Sequence, residues 1–152
     1  MLNRRDILSL FAALAAAGLP LGGLMGSARA APRDARKHLA EITGGIKPKK
    51  GRITITLPKV TDQGDFVPLR VAVESPMSEV DHVKAIHIVA ERNPTPAVAS
   101  FYLSRAIGKA EVSTRIRLVK TQVVVAVAEM SDGSLFLGKA RCKISTGAGG
   151  CG

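Results

Sequence analysis

At 152 residues, with 22 Lys and Arg against 12 Asp and Glu, the chain carries a formal net charge of +10 and fits one domain with one core. Two cysteines exclude a disulfide-framework fold, and the lack of tryptophan excludes the tryptophan-centred core of antibody domains. The sequence has no Gly-rich phosphate loop between strand and helix, no nucleophile elbow and no Cys-x-x-Cys, so the common enzyme signatures are missing.

Residues 1–30 read as an address. Asn3-Arg4-Arg5-Asp6-Ile7-Leu8 is a twin-arginine n-region, followed by an apolar run from Leu8 to Leu21 and by the small-x-small site Ala28-Arg29-Ala30. Gly18 and Pro20 break the run, which falls short of the ~20 apolar residues a membrane-spanning helix needs. The expectation is a signal peptide cleaved after Ala30, export by the twin-arginine pathway and a periplasmic location. Loss of Arg4, Arg5, Arg29 and Asp6 takes the charge from +10 to +8. In that compartment a basic surface suits acidic protein partners or small anions better than nucleic acid.

Residues 31–51 are expected to form a short helix and a basic linker. From Pro32 to Thr43, Ala35, Leu39 and Ile42 fall on one side of a helix that Gly44-Gly45 ends, and Lys47-Pro48-Lys49-Lys50-Gly51 follows. His38 reads as solvated.

Residues 52–144 read as strand after strand. Ile53, Ile55 and Leu57 alternate with polar residues. After the turn at Gln63-Gly64-Asp65, Val67, Leu69, Val71 and Val73 keep period two, with Pro68 favouring an edge or a strand start. His82 to Ala90 is the next strand, and Asn93-Pro94-Thr95-Pro96 a turn. Val98 to Leu103 follows, then the alternation Ala110, Val112, Thr114, Ile116, Leu118. Thr121 to Met130 is almost wholly apolar and β-branched, which predicts a central strand covered on both faces. Ser131-Asp132-Gly133-Ser134 is a hairpin signal before the last strand, Leu135 to Ile144. About seven strands at this spacing, with no long helix between them, predict an all-β fold. It is an immunoglobulin-like antiparallel β-sandwich with a short N-terminal helix and a flexible C-terminal arm, and parallel crossovers are not expected.

The chemistry is sparse. His38, His82 and His87 lack partners at metal-ligand spacing. A copper site from Met77, His82, His87 and Met130 suits imidazole and thioether chemistry, but five residues apart on a strand puts His82 and His87 on opposite faces. No metal or cofactor site is therefore expected. Cys142 shares a strand face with Ala140 and Ile144 and reads as a small core hydrophobe.

Cys151 is different. Residues 145–152 form a Gly-rich arm in which Gly147, Gly149, Gly150 and Gly152 have no side chain to pack. Eight residues reach at most ~26–29 Å when extended, enough to carry a thiol into a partner's cleft. A Cys142–Cys151 disulfide would close only about nine residues and constrain little of the unfolded chain. The carboxylate of Gly152 disfavours the thiolate, so activation is expected to come from a partner's site.

Taken together, Val73-Glu74-Ser75-Pro76-Met77, Val83-Lys84-Ala85-Ile86-His87-Ile88, Glu91-Arg92-Asn93-Pro94-Thr95-Pro96, Val112-Ser113-Thr114-Arg115-Ile116-Arg117-Leu118, Val124 to Gly133 and the Gly-Gly-Cys-Gly end resemble the SoxY family. SoxY proteins are the sulfur-carrier subunits of the periplasmic thiosulfate-oxidising (Sox) system, and the resemblance covers essentially all of the chain after residue 30.

The resemblance implies a carrier and not an enzyme, with Cys151 as the covalent attachment point for thiosulfate-derived sulfur. It implies a heterodimer with a SoxZ-like sandwich subunit. It further implies a c-type haem enzyme that couples thiosulfate to the cysteine, a metal-dependent hydrolase that releases sulfate and, in some systems, a molybdenum-haem dehydrogenase for the sulfane sulfur. Two features depart from the family pattern. Only Gly152 follows the cysteine where Gly-Gly is usual, and Cys142 is an additional thiol. The competing reading is a sandwich interaction module whose terminal cysteine forms a structural or intermolecular disulfide.

Overall fold

The computed structural model describes residues 32–145; the expected signal peptide and the arm segment 146–152 that carries Cys151 lie outside the described residues. Helix α1 (Pro32–Thr43) comes first. Strands β1 (Lys49–Lys50), β2 (Ile53–Thr56), β3 (Val60–Thr61), β4 (Val67–Val73), β5 (Val83–Ala90), β6 (Ala97–Tyr102), β7 (Ala110–Ile116), β8 (Gln122–Met130) and β9 (Leu135–Ile144) follow. Short 3-10 turns at Gly64–Phe66 and Arg105–Ile107 complete the chain order. Among the described residues no helix is long and apolar enough to cross a membrane.

Two sheets face each other. The larger runs β1-β9-β8-β5-β6, with β3 also pairing β9, and the smaller runs β2-β4-β7. Seven strands have four or more residues and pair antiparallel, as the sequence predicts. The two remaining strands depart from that expectation. Lys49–Lys50 of the predicted linker and Val60–Thr61 pair parallel to β9, at its opposite ends. Two-residue parallel contacts need no crossover helix, because each only seals an open stretch of the β9 edge.

The main core lies between the sheets. Val67, Leu69, Val71 and Val73 of β4 face Val83, Ile86 and Ile88 of β5 and Val124, Ala126, Ala128 and Met130 of β8. The two sheets differ on their outer sides, and the sequence pattern follows. The small sheet leaves its outer side to solvent, so β4 alternates buried with exposed or half-buried residues. Helix α1 covers the large sheet, packing Ala35, Leu39 and Ile42 on Val89, Val125, Val127 and Leu135. Strand β8 is therefore apolar on both faces. Each fully buried Val or Leu side chain contributes about 1.5–3 kcal/mol relative to exposure, so the helix stabilises the sandwich substantially.

Gly138 sets how closely the sheets approach. It lies opposite Ala126 on the inner face of β9, and a Cβ there would stand 2.9 Å from Ile53 Cγ2. Pro68, the second residue of β4, lies beyond the reach of β2, whose register ends at Thr56–Arg70, so its missing N–H leaves no ladder bond unmade on that side.

Candidate functional site

The end of β9 determines how the C-terminal segment is presented, and it is held from both sides. On one side Ile144 N donates to Thr121 Oγ1 (3.0 Å), just before β8, and Cys142 stands opposite Gln122. On the other, Lys143 N donates to Lys59 O (2.9 Å) and Ser145 N to Thr61 O (2.8 Å). The chain is thus pinned as far as Ser145.

The loops beneath this exit are tied by a buried amide pair. Gln122 Nε2 donates to Asn93 Oδ1 (2.8 Å), and Asn93 Nδ2 donates to Arg117 O (2.7 Å). Val119 N donates to Asn93 Oδ1, and Arg92 N donates to Gln122 Oε1 (2.8 Å). Leu118 N also donates to Gly64 O (2.7 Å). Three loop segments and the start of β8 therefore meet at one end of the sandwich, each satisfying the polar groups another would leave bare. Gln122 carries no functional signal in the sequence. Asn93 carries a turn signal, but only the fold turns its amide inward.

Cys142 is fully buried in the main core, and burial pushes its thiol above the usual range. It stays protonated and packs as a small hydrophobe, as the alternation of β9 predicts. Its sulfur is free. Cys151 and the arm glycines Gly147, Gly149, Gly150 and Gly152 belong to the undescribed segment that follows.

The histidines and methionines do not converge. Met77 and Met130 are in the main core, His82 Nδ1 bonds Ser78 O (3.0 Å), and His87 sits on the opposite, helix-covered face beside Val127. There His87 Nδ1 and the Ser100 hydroxyl share a 2.8 Å hydrogen bond, and the ring meets Tyr102 edge to face at 6.2 Å. Burial lowers the His87 pKa, with a smaller opposing effect from Glu129. His38 on α1 lies 3.6 Å from the Glu41 carboxylate. No group of three or more His, Cys, Asp or Glu comes together among the described residues.

The sulfur oxidation protein SoxY family matches residues 39–151, from within α1 through Cys151. The chain belongs to the SoxY family. Its fold agrees with that of the sulfur carrier protein SoxY from Chlorobium limicola f. thiosulfatophilum. The two are 27% identical with a TM-score of 0.63, over 74% of this chain and 92% of that one. Sequence comparison with curated proteins gave no match. A superoxide reductase (neelaredoxin) from Ignicoccus hospitalis shares the fold at 16% identity and TM-score 0.54, over 62% of this chain and 81% of its own. A putative superoxide reductase from Thermotoga maritima does so at 14% and 0.56, over 64% and 94%. At such identities the likeness concerns the sandwich alone. SoxY proteins are sulfur carriers, and membership places this chain in a Sox system with a partner such as SoxZ.

Proposed function

We propose that this SoxY protein holds thiosulfate-derived sulfur covalently on Cys151 and presents it to the other enzymes of its Sox system. The observation that supports this most directly is the burial of Cys142. Of the chain's two thiols, one is sealed in the core with its proton held, which leaves Cys151 for the chemistry.

Attachment joins the Cys151 sulfur to the outer sulfur of thiosulfate. A new S–S bond forms, the thiol proton is released and two electrons pass to a c-type haem coupling enzyme. Hydrolysis of the resulting S-thiosulfonate by a metal-dependent hydrolase adds water, releases sulfate and a proton, and leaves a persulfide on Cys151. In systems that possess it, a molybdenum-haem dehydrogenase oxidises that remaining sulfur. The chain supplies reach and a rigid mount, since an arm rooted at Ser145 has no fixed base or oxyanion donor of its own. Redox and metal chemistry belongs to the partners.

The reading includes export through the twin-arginine pathway, cleavage after Ala30 and a periplasmic heterodimer with a SoxZ-like subunit. Co-export of a folded pair accounts for the twin-arginine pathway, because the partner family has no signal of its own.

Intact-mass analysis after turnover of the SoxY–SoxZ heterodimer with thiosulfate and the haem enzyme tests the proposal. A mass increase on wild type that disappears in Cys151→Ser is expected. No adduct on wild type, or one that persists in Cys151→Ser, would overturn it.

A further inference from the structure

We propose that the basic end of the sandwich around the root of β9 is the docking surface for the acidic rims of the enzymes that act on Cys151; this rests on the carrier reading above. Hydrogen bonds and strand pairing bring Lys59, Arg92, Lys120, Arg141 and Lys143 to this one end: Lys143 N donates to Lys59 O, Arg92 N to Gln122 Oε1, and Arg141 pairs with Val123. Four of the five are exposed and Lys120 is half-buried. None pairs with a carboxylate among the described residues.

Nearby carboxylates do little to offset them. Asp65 is engaged by Arg117 (2.9 Å) and Glu91 by Lys139 (3.7 Å), which leaves Asp62. No Asp or Glu follows Asp132 in the sequence, whereas Lys139, Arg141 and Lys143 do. Away from this end the cations on the sheets are partly neutralised, by Arg52–Asp81, Arg70–Glu111 and Lys84–Glu129.

Magnitudes decide what this charge serves. Cys151 lies six positions beyond Ser145, so a fully extended chain would carry the thiol at most about 20–22 Å from the root. That exceeds two Debye lengths at physiological salt, ~8 Å each, so the collar's field on a small anion at the arm tip is strongly screened. A partner that encloses the thiol in a cleft brings its rim back toward the root by the depth of the cleft. The rim then comes within about one Debye length of the collar. Every enzyme acting on Cys151 must approach this same surface, and a complementary acidic rim raises encounter rates without a tight complex that would block exchange.

The test is loading of Cys151 by the c-type haem coupling enzyme across a salt series. It compares the wild-type heterodimer with K59Q/R92Q/K143Q and with K49Q/K50Q/K109Q, which removes the same charge away from the arm end. The collar variant should lose about tenfold in kcat/KM at low ionic strength, keep its kcat and converge with wild type near ~0.5 M salt, while the control stays at the wild-type value. Equal losses in both variants, or a salt-independent wild-type rate, would overturn the proposal. So would an equal loss in the rate of Cys151 alkylation by anionic iodoacetate relative to neutral iodoacetamide, since the field would then be acting on small anions. Wild type that loads while the collar variant loads equally well sinks this proposal alone. Wild type that acquires no adduct sinks the carrier reading and this proposal with it.

Discussion

Under the carrier reading the two cysteines, nine positions apart, have opposite tasks, and the surroundings of Cys142 account for its own. Cys142 sits on the inner face of β9 with its thiol fully buried and its pKa raised. Replacing it by serine puts a hydroxyl into an apolar site and should cost about 1–3 kcal/mol, read as a lower urea midpoint, without changing adduct formation on Cys151. Thiol counting separates the carrier from the interaction-module alternative. Unreduced native protein should give one fast-reacting thiol, and a second only on unfolding, whereas a resting disulfide at Cys151 would give none that reacts fast. His87 supplies a pH dependence. Burial lowers its folded pKa below its unfolded value, near 6.5, so the unfolded chain binds the proton more readily. Stability is therefore full above about pH 6.5 and declines as pH falls from there toward the folded pKa. In His87→Gln that part of the slope should be absent from urea midpoints measured between about pH 7 and 5.

At the scale of elements, the helix and the loop junction are separable supports. Leu39 of α1 packs half-buried on the outer cluster of the large sheet. Leu39→Ala should cost about 1–2 kcal/mol, less than the ~2–5 kcal/mol of a sealed leucine, without affecting loading of Cys151. Gly64 supports the arm end directly. A Cβ at this position would lie 2.5 Å from Leu118 O, and Gly64 O accepts the Leu118 N–H. Gly64→Ala must shift backbone, so a loss of about 1–3 kcal/mol is expected, with faster amide exchange at Leu118 than in wild type. The apolar run of β8 announced a strand covered on both faces, and α1 with the small sheet are the two covers. The linker lysines Lys49 and Lys50 gave no such signal. Their pairing with Phe136 and Leu137 depends on where the chain returns after α1, which no local pattern encodes.

For the whole molecule, the carrier reading divides the labour between a packed sandwich body and the thiol of Cys151. Under the carrier reading, Cys151→Ser should leave the urea midpoint unchanged and abolish the adduct. A loss of stability would point instead to a structural bond. The order of the chain made much of this legible. Period-two alternation fixes which residues of β4 and β7 face inward, because a one-residue slip would bury their charges. The Gly-rich composition of the end and the position of Cys151 are likewise linear features, and the family follows from the end together with the motifs of the body. What only tertiary structure decided is the setting of that end. Asn93, Gln122 and Thr121 are unremarkable polar residues until three turns and a strand end meet. Lys59, Arg92 and Lys143 are scattered basic residues until the same packing gathers them. Burial and charge density are sums over neighbours far apart in the chain, so a sequence can name the hook while the fold alone places what surrounds it.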